Sequence, residues 1–304
     1  MSPELEDWKS KGQFISFGHQ QLKLFVLEFG DSSASPDDTL LILHGFPESS
    51  YSFQAVIDSL ATRFKRIVLF DMLGYGMSDK PETGYSYSLI DQADSAFHVW
   101  NHFGVKGGHL LSHDMGDSVA TEIIARYNQG FVPDWFSEGF KSLTLTNGSM
   151  VLELAALRST QKILLSKYGK RMSGLTSYKL FKQQVTSAHG NDRLTEEQLK
   201  LFWELNTLQK GNRKSYLTIH YLRERLLYEK TRWLPALSKL TIPIHLCWGD
   251  LDQVARIEMA YYLKEHIIPN ADFTIMKGLG HFCQMGSPEE WSGYILAWYN
   301  QLNS

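Results

Sequence analysis

The sequence predicts an α/β architecture: a mostly parallel sheet of eight strands, helices on both faces, and a helical segment inserted after the sixth strand. Three observations predict it. Short, largely apolar runs recur at 40–43, 66–70, 108–111, 142–145, 244–248 and 273–276, several stopping at once on His, Asp or Gly. The stretches between them carry apolar residues at helical spacing. Residues 151–235 break the alternation, with helical patterns and no convincing strand. Strands apolar on both faces and alternating with helices form a parallel sheet covered on both sides.

Taken in order, residues 13–17 and 22–29 flank a Gly18-His19 turn and read as a hairpin that adds an antiparallel edge. The strand at 40–43 runs into His44-Gly45, and a helix is expected over 53–64. The strand at 66–70 ends at Asp71 and a glycine-rich turn, 73–76. Ser88 opens a helix that Gly104 closes at 103. The strand at 108–111 leads into a helix over 115–127 with Val119, Ile123, Ile124 and Tyr127 on one face. After the strand at 142–145, the inserted segment offers helices over 152–165, 195–208 and 215–228. The strands at 244–248 and 273–276 follow, with helices over 257–267 and 288–302. The expected units are therefore a core of residues 1–150 and 236–304, and a lid of residues 151–235.

The 304 residues, 43% hydrophobic and 21% charged, suit one α/β core with an insertion. The net charge of −3 is too small to point to nucleic acid. It hides an asymmetry: residues 151–235 hold 16 Lys+Arg against 7 Asp+Glu, and the remainder 14 against 26. A basic insertion on an acidic core is the favoured reading. A second is a segment that meets an anionic membrane surface or draws in acidic substrates. No apolar run approaches the roughly 20 residues of a membrane span and no addressing signal stands out, so a soluble, cytoplasmic chain without stable membrane insertion is expected. Cys247 and Cys283 make neither a disulfide framework nor a metal-ligand pattern, and are read as buried small hydrophobes. No cofactor and no metal is expected.

The chemistry gathers where strands end. In Ser112-His113-Asp114-Met115-Gly116 a strand turns sharply into a helix, with small residues two before and two after the centre. Such an elbow lifts its central side chain above the sheet at a helix N-terminus, where an anion is favoured. The occupant is Asp114, for which the competing role is a helix N-cap. Ser112 and Ser118 are out of register for a serine nucleophile. Asp252, in Gly249-Asp250-Leu251-Asp252, and His281, in Gly280-His281, follow two later strands and complete a nucleophile–acid–base order. His281 is the expected general base and Asp252 the residue that fixes its tautomer. Asp250 reads as a turn former. Asn147 also follows a strand but cannot carry a charge. The backbone N–H groups of Phe46 and Met115 are the expected oxyanion donors.

These motifs resemble the α/β-hydrolase superfamily, in particular its epoxide hydrolase and haloalkane dehalogenase branch. The likeness rests on residues 44–47, 71–78, 112–116, 249–252 and 280–281, and covers nearly all of the chain outside the lid. Residues 43–51, 110–117 and 241–245 look like the mesoderm-specific transcript protein group. The resemblance implies that Asp114 attacks an sp³ carbon to give a covalent alkyl ester, which water hydrolyses with His281 as base. Dehalogenases of this kind place side-chain donors where this chain has Met115 and Phe46, which disfavours a halide leaving group. Epoxide hydrolases use two lid tyrosines as acids, and Tyr221, with Tyr168 or Tyr178, are the candidates here. The expected reaction is hydrolysis of a small lipophilic epoxide, with water as co-substrate, to a diol. Haloalkane dehalogenation, β-lactone processing and a non-catalytic ligand receptor are the alternatives.

Overall fold

The computed structural model describes residues 1–155 and 157–302. Its centre is one eight-stranded sheet: β1 (Gln13–Phe17), β2 (Leu22–Gly30), β3 (Thr39–Leu43), β4 (Arg66–Phe70), β5 (Gly107–His113), β6 (Gly139–Thr146), β7 (Ile244–Gly249) and β8 (Asp272–Met276), in the order β1-β2-β4-β3-β5-β6-β7-β8. The hairpin register pairs Gln13 with Val26 and Phe17 with Leu22. β2 is antiparallel to both of its neighbours, and every pairing from β4 to β8 is parallel.

The apolar runs divide between two cores because successive strand side chains point to opposite faces. Leu41 and Leu43 join Val68, Phe70, Leu110 and Val119 on one side. Leu40 and Ile42 join Ile67, Leu69, Leu111 and Trp291 on the other. Each fully buried leucine contributes on the order of 1.5–3 kcal/mol relative to exposure. The first core is closed by the helices Leu89–His102 and Met115–Asn128, the second by Pro288–Gln301. Ser88 caps the first of these by accepting the Asp91 N–H.

Several elements depart from expectation. The helix expected over 53–64 is a tight 3₁₀ segment, Ser50–Val56, followed by a single turn, Ile57–Leu60. Its start is pinned by the Ser50 N–H donating to Asp71 Oδ1 at 2.7 Å and by Trp8 Nε1 donating to Ser50 Oγ at 3.2 Å. The apolar spacing still buries Phe53, Val56, Ile57 and Leu60. A helix over Pro3–Ser10, not anticipated, seats Leu5 and Trp8 in the second core.

Between β6 and β7 the described residues are helices and turns only, including Ser159–Leu165, Tyr178–Thr186, Glu196–Thr207 and Tyr221–Tyr228. Two of the three expected helices here are interrupted. Over 152–165 a 3₁₀ turn, Leu152–Leu154, precedes the helix proper, with the Leu152 N–H held by Glu229 Oε2 at 2.7 Å. Over 215–228 the helix breaks between Thr218 and Tyr221. The insertion packs over the carboxyl ends of the parallel strands, and an apolar groove runs between it and the core. Phe46, His281 and Phe282 line the groove from below, and Leu164, Leu180 and Trp203 from above. No helix among the described residues is long and apolar enough to cross a membrane.

Candidate active site

β5 pairs on both sides and delivers the chain to Asp114 in a strained left-handed turn, φ 49° and ψ −112°. The turn needs small neighbours. A Cβ at Gly45 would sit 2.7 Å from Asp114 Cβ, and one at Gly116 would sit 2.5 Å from Leu43 O and 2.7 Å from His44 O. Backbone cannot yield there as a side-chain tip could. Gly116→Ala is therefore expected to destabilise the protein by about 1–3 kcal/mol, read as a lower melting midpoint. An unchanged midpoint would mean that the elbow has slack.

Asp114 is buried and makes no side-chain capping bond to its own helix. Its carboxylate is engaged elsewhere: the Phe46 N–H donates to Oδ2 at 2.8 Å. That is one of the two expected donors. The side chain of Met115, whose N–H is the other, accepts the Tyr75 hydroxyl at Sδ, 3.2 Å away.

His281 Nε2 lies 3.8 Å from Asp114 Oδ1, and His281 Nδ1 donates to Asp252 Oδ2 at 2.8 Å. The structure thus brings together three residues that follow β5, β7 and β8. Asp252 is fixed by two further backbone donors to Oδ1, Val254 N at 2.6 Å and Ala255 N at 2.9 Å. Asn147 adds a bond to Oδ2 at 2.6 Å and another to Gly280 O at 3.1 Å, so its amide holds the acid it cannot replace. The insertion takes part too. Ala188 O accepts the His281 N–H, and Asp192 Oδ1 accepts the Gly280 N–H.

Burial pulls the His281 imidazole toward the neutral form. The Asp252 charge and hydrogen bond, with the charges of Asp114 and Glu48, outweigh it and raise the pKa from 6.5 to about 9. The linkage sign follows. A raised folded-state pKa gives stability that is complete below pH 6.5 and is lost as pH rises through about 9. Unfolding midpoints between those pH values are expected to fall for the native protein and to fall less for His281→Gln. Parallel profiles would show that His281 does not carry this charge.

A second buried acid–imidazole pair, not anticipated, stands behind His281. Glu48 Oε1 lies 3.4 Å from His113 Nε2, outside hydrogen-bond alignment, while His113 Nδ1 bonds to Thr146 Oγ1 at 3.0 Å. The His113 and His281 rings are 5.3 Å apart. Burial pushes the Glu48 carboxyl up, but the facing histidines, His113 first, hold it below the ordinary value. The only sequence signal for Glu48 was its place four residues after His44.

Of the three candidate tyrosines the structure brings one to the site. Tyr221 is buried, lines a small cavity with Asp114 and packs on Phe46 with ring centroids 5.7 Å apart. Tyr168 is 58% exposed on the insertion surface. Tyr178 donates to Glu196 Oε1 at 2.8 Å, away from the cavity. The sequence does not encode how the inserted helices are rotated, so it cannot separate these two from Tyr221. A different phenol is near: Tyr75, from the core loop after β4, packs 6.2 Å from Phe46 and bonds to Met115 and Thr218. Cys247 and Cys283 are free and buried, and burial raises both thiols.

Among proteins of known family, the α/β hydrolase fold matches residues 38–288 of this chain. LipZ of Mycobacterium tuberculosis is 34% identical over 300 residues, covering 97% of this chain and 98% of LipZ. The mesoderm-specific transcript protein of Mus musculus is 31% identical over 315 residues, covering 100% of this chain and 89% of its own length. Epoxide hydrolase 3 of Mus musculus is 24% identical over 278 residues, covering 86% and 71% respectively. With the eight-stranded sheet and the strand-end cluster described above, these matches establish that the chain belongs to the α/β hydrolase fold family and is a hydrolase of that fold.

Proposed function

We propose that the protein hydrolyses epoxides to diols through a covalent ester on Asp114, with residues 151–235 acting as a lid over a lipophilic substrate. The observation that carries the proposal is a carboxylate, with no serine or cysteine, at the elbow, facing an Asp252-paired imidazole. Oδ2 is held by the Phe46 amide, which leaves Oδ1 to attack a ring carbon. The carbon–oxygen bond of the ring breaks as Oδ1 bonds, and the departing oxygen takes the Tyr221 proton. Burial, then the Asp114 charge, keep that phenol protonated until it is needed, with Arg225 pulling the other way.

Ester formation removes the Asp114 charge, and with it one of the influences that hold His281 protonated. The imidazolium then gives its proton to the Tyr221 phenolate, which leaves a neutral imidazole at the step that needs a base. It takes a proton from water, whose oxygen adds to the Asp114 carboxyl carbon, and the Phe46 N–H stabilises the oxyanion on Oδ2. Collapse breaks the acyl–oxygen bond, and the departing diol oxygen takes the proton from His281. The proton left on the Asp114 carboxyl returns to His281, which restores the resting imidazolium, so the sum is epoxide plus water to diol. An oxygen leaving group is supported by Tyr221, whose O–H can protonate it as the ring opens. The apolar groove supports a lipophilic substrate.

A single turnover in water labelled with oxygen-18 tests the route. The label is expected in the Asp114 carboxylate, found by peptide mass spectrometry, and not in the first diol formed. Label in that first diol would mean direct attack by water and would sink the covalent mechanism.

A further inference from the structure

Arg225 is fully buried, yet two of its three guanidinium nitrogens have no hydrogen-bond partner among the described residues. Nε donates to Ser118 Oγ at 3.1 Å, and the guanidinium carbon stacks 4.8 Å over the Tyr221 ring. Nη1 and Nη2 have no hydrogen-bond partner in the described residues. A buried, permanently charged group with two open donors is costly unless something completes it. The adjoining acids do not. Asp117 gives Oδ1 to Ser112 Oγ and Thr146 N, and Glu229 gives Oε2 to Leu152 N; neither forms an ion pair with Arg225. Burial raises the carboxyl pKa of both, which makes them weak counterions.

Arg225 also borders the cavity that holds the nucleophile. Arg225, Tyr221 and Asp114 line one small cavity, and that cavity shares Phe46, Gln161 and Val254 with the apolar groove beneath the insertion. The site therefore has a cationic end, a nucleophile and an apolar channel in continuity. A planar guanidinium with two parallel N–H groups matches a carboxylate in a fixed orientation.

We propose that Arg225 is a specificity-determining residue that binds a substrate carboxylate, and that the preferred substrates are epoxy acids whose carboxylate lies next to the ring and whose alkyl chain fills the groove. This rests on the epoxide reading for the ring, but not for the acid. The charge on Arg225 offsets the repulsion that a substrate anion would meet at Asp114.

Two measurements separate the readings. In the first, diol formation from 2,3-epoxyoctanoate and from its amide is compared in wild type, Arg225→Gln and Arg225→Lys. Two charge-assisted bonds correspond to a preference of about 100-fold in kcat/KM for the acid in wild type. That ratio is expected to collapse in Arg225→Gln and to recover in part in Arg225→Lys. A wild-type ratio near one, or a ratio that survives in Arg225→Gln, overturns the proposal. In the second, calorimetry compares octanoate with octanamide on the wild-type protein, where no ring is opened and no variant must fold. At least tenfold tighter binding of octanoate supports the carboxylate site, and equal binding overturns it. Octanoate preference with no diol from either epoxide would keep Arg225 as an anion site and discard the epoxide reading instead.

Discussion

Replacing His281 by Gln is expected to stop turnover after the first chemical step and to leave Asp114 esterified. On the proposed route, attack by Asp114 Oδ1 needs the nucleophile, the Phe46 donor and the Tyr221 proton, none of which belongs to His281. Hydrolysis of the ester needs a base beside the Asp114 carboxyl carbon, and His281 Nε2, 3.8 Å from Oδ1, occupies that position. Loss of a general base costs about 10²–10⁴-fold, so the second step becomes far slower than the first. Intact-protein mass spectrometry of the variant with an epoxide should show a gain equal to the whole substrate mass, mapped to Asp114. The variant should fold, because Asp252 keeps the Val254, Ala255 and Asn147 donors after the imidazole is gone. Steady diol release from the variant with no adduct would assign the base to another group, and Glu48 with His113 would be the first to examine.

That fallback pair shows where a sequence stops being readable. Asp114, Asp252, His281 and Phe46 each sit within five residues of the end of a strand, so the strand pattern alone sends them to one edge of the sheet. The roles that do not follow from the strand pattern act through partners far away in the chain. Asn147 meets Asp252 across 105 residues, Arg225 meets Ser118 across 107, and Gln284 reaches Glu48 across 236. No local spacing encodes such pairings. The same limit explains the tyrosines. A helix in a parallel α/β core has its buried face fixed by the sheet beneath it, whereas the inserted helices are short and broken at 219–220. Their rotation is settled by contacts with the core, which place Tyr221 inward and leave Tyr168 exposed. The strand pattern is robust for the opposite reason: it is written twice, once for each apolar face, as Leu41 and Leu40 illustrate.

Asp114→Asn is expected to abolish turnover while keeping the fold, and to change the neighbouring imidazole in a way that activity alone would not reveal. Asn tolerates positive φ about as well as Asp, so the strained turn at φ 49° should persist. Its side-chain oxygen can still accept the Phe46 N–H. What disappears is the anionic nucleophile, and a loss of roughly 10⁴-fold or more follows where no other group can form the ester. The substitution also deletes one of the charges that raise His281. Burial then weighs more heavily against the imidazolium, and the His281 titration, followed by nitrogen NMR, should move down from about 9. Asp252 and Glu48 remain, so the shift should be partial. The two readouts answer different questions. Turnover within tenfold of wild type would remove Asp114 from the nucleophile role. An unmoved His281 titration with turnover abolished would leave the nucleophile in place but break the link by which ester formation releases the base.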